Sequence, residues 1–139
     1  MGEASMDLGF ASEKLKIGEI YSRKSLREIF HITDATLNTG VFKPKNFSSV
    51  WLFVTRKKAA NQPKYVDYLT GDTLHWQGQA SGKSDLMIIE HKDRDLELLL
   101  FYRDSPKQYA DAGFRYAGEV EYVAHKGGHP TSFTLRLKR

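Results

Sequence analysis

Seven or so runs of strand length, set close together and separated by turn residues, constrain this chain more than any other feature. "SVWLFVT" at 49–55 is continuously apolar and rich in aromatic and β-branched residues. "KYVDYL" and "TLHWQ" flank "TGD", which predicts a hairpin, and "RYAGEVEYVAHK" and "TSFTLRLKR" alternate strongly around "GGHP", which predicts a second. "LELLLFYR" is a further strand, whereas "DLMIIEH" fits helix or strand by its length. One early helix is expected in "SLREIFHI", with Ser25 as N-cap, Glu28 three residues on, and Leu26, Ile29 and Phe30 on one face. This pattern predicts a mainly-β (α+β) fold, a twisted antiparallel sheet closing to a barrel, with one or two short helices. Residues 1–16 have few large apolar side chains and no period, so a flexible leader or linker is expected there, with one domain over 17–139.

At 139 residues one core suffices without metal or disulfide support. The absence of cysteine excludes thiolate zinc sites and a thiol nucleophile, and fits a reducing cytoplasm. The longest apolar runs are far short of a membrane span, and no signal-peptide pattern opens the chain. Lys and Arg outnumber Asp and Glu by 21 to 17, and the excess is clustered: Lys43, Lys45, Arg56, Lys57, Lys58 and Lys64 fall in a stretch with no acid. Such a cluster suits phosphate contacts, to which Lys126 is added, or forms a solvated loop pair.

Several chemistries find no support. There is no G-x-S-x-G, the five His are scattered, and His125 and His129 flank a Gly-Gly turn instead of lying on a helix. "GKSDL" lacks the earlier Gly of a phosphate loop. One enzymatic set survives: Glu90 and Lys92 end "DLMIIEHK", with Asp67, Asp72 and Asp85 upstream, as in sites where carboxylates hold Mg²⁺ and a Lys helps activate water. The same charged residues also read as a solvated turn between buried runs.

The stretch "YVDYLTGDTLHWQGQ" favours binding instead. Tyr65, Tyr68 and Trp76 offer flat faces on which a base can stack, and Asp67, Gln77 and Gln79 offer groups that read base edges. Alternation puts Tyr65 and Asp67 on one face of their strand and Tyr68 on the other, and Trp76 equally suits the core.

In order, "IYSRKSLREIF", "TGVFKP", "SVWLFVT", "KYVDYLTGDTLHWQGQ", "DLMIIEHKDRDLELLLFYR" and "FRYAGEVEYV" resemble the SET-and-RING-associated (SRA) DNA-binding domains of the McrA-like prokaryotic type. They also resemble a related domain of unknown function at the C-terminus of bacterial helicase and nuclease fusions. The resemblance spans about residues 17 to 137. It implies a barrel-like SRA/PUA-type sheet that binds duplex DNA and holds a flipped 5-methylcytosine or related base, as the specificity module of a type IV, modification-dependent restriction system. It carries Tyr65 over as a stacking face and Asp67 as acceptor of the cytosine amine. Trp76 takes the aromatic position of the next strand, with Gln77 and Gln79 at the base edge. Tyr21 and Arg23 match an opening Y-x-R at the DNA backbone. Tyr68 departs from the family, where a Gly often follows the acid. No cofactor and no catalytic residue are implied; a nuclease or helicase on another domain or chain would cut or unwind. The alternatives are a Mg²⁺-dependent nuclease using Asp72, Glu90 and Lys92, or an RNA- or protein-binding pseudo-barrel.

Overall fold

The computed structural model describes residues 7–58 and 65–138. Its strands are β1 (Ile20–Tyr21), β2 (Val41–Phe42), β3 (Ser49–Thr55), β4 (Lys57–Lys58), β5 (Tyr65–Thr70), β6 (Thr73–Gln77), β7 (Glu97–Arg103), β8 (Phe114–Gly127) and β9 (Thr131–Leu137), with helices α1 (Arg23–Phe30) and α2 (Asp85–Ile89). They form one nine-stranded sheet in the order β2-β3-β7-β8-β9-β6-β5-β4, with β1 added beside β8. The mainly-β class expected from the sequence is the class observed.

Two features differ from the expected antiparallel barrel. First, β3 and β7 pair in parallel, Ser49 opposite Glu97 through Thr55 opposite Arg103. Their continuous apolar runs follow from this central position, because each strand is buried on both faces. Trp51, Phe53, Leu99 and Phe101 face one core, under α1; Val50, Leu52, Val54, Leu98 and Leu100 face the other. Second, the sheet curls around the second core without closing. The Leu69 amide donates to the Tyr102 hydroxyl at 3.3 Å, bridging β5 to β7, while the ladders end at β2 and β4. Ile88 of α2, fully buried, packs into that core together with Leu74, Trp76, Phe133 and Leu135. The segment "DLMIIEH", open between helix and strand by its length, thus forms a helix over Asp85–Ile89.

Helix α1 starts earlier than its predicted cap. Ser22, in extended backbone, is the N-cap and accepts from the Ser25 amide at 3.0 Å, while Ser25 Oγ accepts from the Ser22 amide at 2.9 Å. Leu26 and Phe30, four apart on one face, enter the first core. Ser25 is therefore the third helical residue, and Glu28 is exposed.

Residues 7–16, expected within a leader, pack on the sheet. Ala11 is fully buried and its amide donates to Ser49 Oγ at 2.9 Å. The buried Glu97 carboxylate accepts from the Ser12 amide (3.1 Å), the Ser12 hydroxyl (2.6 Å) and the Ser49 hydroxyl. Three donors offset the desolvation of this carboxylate and tie the segment to the start of β7. No helix among the described residues is long and apolar enough to cross a membrane.

Candidate nucleic-acid interface

The expected hairpin forms from β5 and β6, pairing Tyr68 with His75, Leu69 with Leu74 and Thr70 with Thr73. Its alternation splits the expected base-reading residues among three environments. Tyr65 and Asp67 lie on one face of β5, opposite Lys58 and Lys57 of the edge strand β4. Arg56 and Lys58 stand over the Tyr65 ring at 4.6 and 5.3 Å, so this tyrosine is already capped by two cations. Asp67 Oδ1 accepts from the Gln77 amide at 2.8 Å, joining β5 to β6 beyond the regular ladder. Burial holds its carboxyl above the ordinary 3.8; the Gln77 bond and nearby Lys57 act in the opposite sense.

Trp76 lies in the second core, 6% exposed, with its ring stacked on Phe133 at 5.6 Å. Gln77 is half-buried, and Gln79 Oε1 accepts from the Ser84 hydroxyl at 2.8 Å in the turn before α2. Between them Gly78 has a packing reason. A Cβ there would meet the Phe133 ring at 2.9 Å, and that ring is buried and cannot swing away.

Tyr68 lies on the opposite face from Asp67, stacked on His75 with centroids 4.8 Å apart. From here the registers carry a row across four strands. His75 opposes Thr134, which opposes Ala124, and Gln77 opposes Ser132, which opposes Lys126. A register shift between Tyr122 and Ala124 interrupts the β8–β9 ladder where β8 borders this face. The result is an open groove of about 290 Å³ lined by Val66, His75, Ala124, Lys126, Ser132 and Thr134, with Trp76, His125 and Phe133 completing its walls. Val66 lies between the β5 residues that pair with Lys57 and Lys58, so the groove abuts the basic edge. Ligand pockets span about 300–1,000 Å³, so this groove stands at the small end of that range.

The residues expected at the DNA backbone divide likewise. The Tyr21 hydroxyl accepts from the Lys16 amide at 2.9 Å, and its ring packs edge-on to Phe101 and Tyr116. Arg23 donates to the carbonyls of Leu37 (3.0 Å) and Thr39 (3.1 Å), with its guanidinium 4.5 Å from the Phe53 centroid. Burial, then neighbouring Arg103 and Arg27, lowers its pKa. Lys43 donates to the Phe47 carbonyl at 3.0 Å, while Lys45 is exposed. Lys43 and Lys45 precede β3 and Arg56–Lys58 follow it, so the basic segments stand at opposite ends of a strand roughly 20 Å long at about 3.3 Å per residue. Lys57, Lys58 and Lys126 are exposed; Arg56 lies 3.9 Å from Asp104; Lys64 falls outside the described residues.

The alternative nuclease residues are dispersed. Glu90 binds Arg94 at 2.7 Å, Lys92 lies 3.6 Å from Glu121, and Asp72 sits at the β5–β6 turn. Among the described residues no three His, Cys, Asp or Glu side chains approach closely enough to hold a metal ion.

Residues 15–139 match the model of a family described as a domain of unknown function, DUF3427. The chain belongs to this family. The DUF3427 domain is also similar to a solved structure of a modification dependent TagI restriction endonuclease, with a TM-score of 0.53 and 15% identity, over 96% of this chain and 52% of that one. The two share a fold, and the DUF3427 domain spans about half the length of the endonuclease. No curated protein matches the chain.

His75, Val66, Ser132 and Thr134 of this domain line the groove and were not singled out from the sequence. The signal available was alternation. Once Leu74, Trp76, Phe133 and Leu135 are assigned to the core, the residues between them must share the other face.

Proposed function

We propose that this domain binds duplex DNA carrying a modified cytosine and holds that base, extruded from the stack, in the groove across β5, β6, β9 and β8. The observation that carries the reading is the placement of a base-sized groove against a basic strand edge, within a fold shared with a modification-dependent restriction endonuclease over 96% of the chain. Extrusion costs a few kcal/mol in lost stacking and pairing. The Tyr68–His75 stack gives the base an aromatic surface at the groove, and stacking on aromatics contributes roughly 1–3 kcal/mol per base. Arg56, Lys57, Lys58 and Lys126 supply the phosphate contacts, which give affinity without sequence information. Asp67 acts on this site by fixing the β5–β6 hairpin through Gln77, and Trp76 by packing beneath it.

In this reading the domain is an SRA-like specificity module of a modification-dependent restriction system, with cutting or unwinding supplied by another domain or chain. The test is binding of the chain to matched duplexes with cytosine or 5-methylcytosine at one position, followed by incubation with supercoiled methylated DNA and Mg²⁺ or Mn²⁺. Tighter binding to the modified duplex, with the plasmid left intact, is expected. Cleavage that Glu90→Gln abolishes would instead favour the nuclease alternative.

A further inference from the structure

The wall of the groove formed by Ala124, His125 and Lys126 stands on a strand end with little packed around it. The β7–β8 ladder closes with Leu98 opposite Val120, and among the described residues β8 runs on to Gly127 beside β9 alone. Every residue from Val123 to His129 is exposed. Burial therefore contributes little to holding this stretch, and its placement depends on the bonds at its root.

At that root, beside the register shift, the Tyr122 amide donates to His91 Nε2 at 3.1 Å. His91 is buried, 3% exposed, and its Nδ1 lies 2.9 Å from the Leu96 carbonyl, while the Leu96 amide donates to the His91 carbonyl at 2.8 Å. A carbonyl only accepts and an amide only donates, so these two partners admit one form of the ring: neutral, with the proton on Nδ1 and the lone pair on Nε2. The paired bonds to Leu96 close the 91–96 turn and fix the ring in place. Tyr122 carries the constraint outward, because its hydroxyl meets His125 Nδ1 at 2.5 Å and the His125 ring lies 6.1 Å from that of Phe133 in the groove wall. Resting on the reading of this domain as a modified-DNA binder, we propose that His91, as the Nδ1–H tautomer, is a positioning residue for the groove, holding the root of the β8 end through Tyr122 and so setting where His125 stands against the bound base. Removing its acceptor leaves the Tyr122 amide unpaired and the wall loose, while Arg56, Lys57 and Lys58 keep their phosphate contacts on a separate edge.

The test uses the full chain, ¹⁵N-labelled, and matched duplexes with cytosine or 5-methylcytosine at one position, at fixed salt. A long-range ¹H–¹⁵N spectrum at neutral pH, with His91 assigned by its disappearance in His91→Gln, should show a protonated Nδ1 and a bare Nε2. A proton on Nε2, or on both nitrogens, would overturn the proposal. His91→Phe, which cannot accept, should reduce the preference for the modified duplex roughly 2- to 10-fold, the effect of one hydrogen bond, with affinity for the cytosine duplex near wild type. His91→Gln, whose side-chain oxygen supplies an acceptor, should restore most of that preference. If His91→Phe has an altered melting transition, Tyr122→Phe carries the test, since it removes only the hydroxyl bond to His125 and should lower the preference in the same way. Preference intact in the folded His91→Phe or Tyr122→Phe chain, an equal loss on both duplexes, or a Gln variant no better than the Phe variant would each overturn this proposal and leave the modified-DNA reading standing. A wild-type chain with no preference between the duplexes would overturn that reading, and this proposal with it.

Discussion

At the scale of single residues, side chains that look like ligand groups in the sequence prove to be committed inside the fold. Asp67 is one. Its carboxyl pKa is raised by burial above 3.8, so the folded chain holds the proton more tightly than the unfolded chain. The stability this contributes is fully present below the unfolded value and is lost as pH rises through the higher folded value. Asp67→Asn keeps an acceptor for the Gln77 amide and removes the titration. Urea unfolding across pH 3.5 to 7 should therefore show the wild-type chain losing stability relative to the variant as pH rises. A difference independent of pH would mean that the carboxyl titrates alike in both states. Arg23 is the second case. Its guanidinium carbon and that of Arg103 lie 5.1 and 3.9 Å from the Phe114 ring centroid, and Arg23 also donates to two carbonyls. Arg23→Ala is expected to cost about 2 kcal/mol of stability, from the lost charged hydrogen bonds and packing. Thermal or urea unfolding measures it, and duplex affinity of the folded variant should stay near wild type. A stable variant with weakened DNA binding would return Arg23 to the interface.

At the scale of elements, the hairpins were legible because their signals are local. Leu74–Trp76 and Phe133–Leu135 alternate with polar residues, and "TGD" and "GGHP" mark the turns. The start of α1 was less so, since Ser22 and Ser25 are both competent caps and only the reciprocal hydrogen bonds between them place the start at Ser22. The parallel pairing of β3 with β7 depends on residues about fifty positions apart, and no local pattern encodes it. The groove was illegible for a related reason. Ser132, Thr134 and His75 look like an ordinary solvent face until the β6–β9 register sets them side by side. The basic residues were visible as a cluster, yet β3 separates them, so that of this cluster Arg56, Lys57 and Lys58 stand at the groove's edge, with Lys126 in its lining. Changing Lys57 and Lys58 together to Gln should weaken binding to modified and unmodified duplexes alike and flatten the slope of log affinity against log salt by about 2. Loss confined to modified DNA would contradict a phosphate role.

At the scale of the whole molecule, two cores share one sheet. The core under α1, with Trp51, Phe101 and Phe114, covers one face of the parallel pair; the second, around Trp76, Phe133 and Ile88, supports the hairpins whose outer face carries the groove. A site on such a surface gains discrimination from the base and affinity from phosphate, and these respond differently to salt. The most direct test of the central claim is the ratio of dissociation constants for matched cytosine and 5-methylcytosine or 5-hydroxymethylcytosine duplexes, measured across a salt series. Both constants should rise steeply and in parallel with salt, while their ratio stays in favour of a modified duplex at every concentration. A ratio of one throughout the series, for both modifications, would contradict the account.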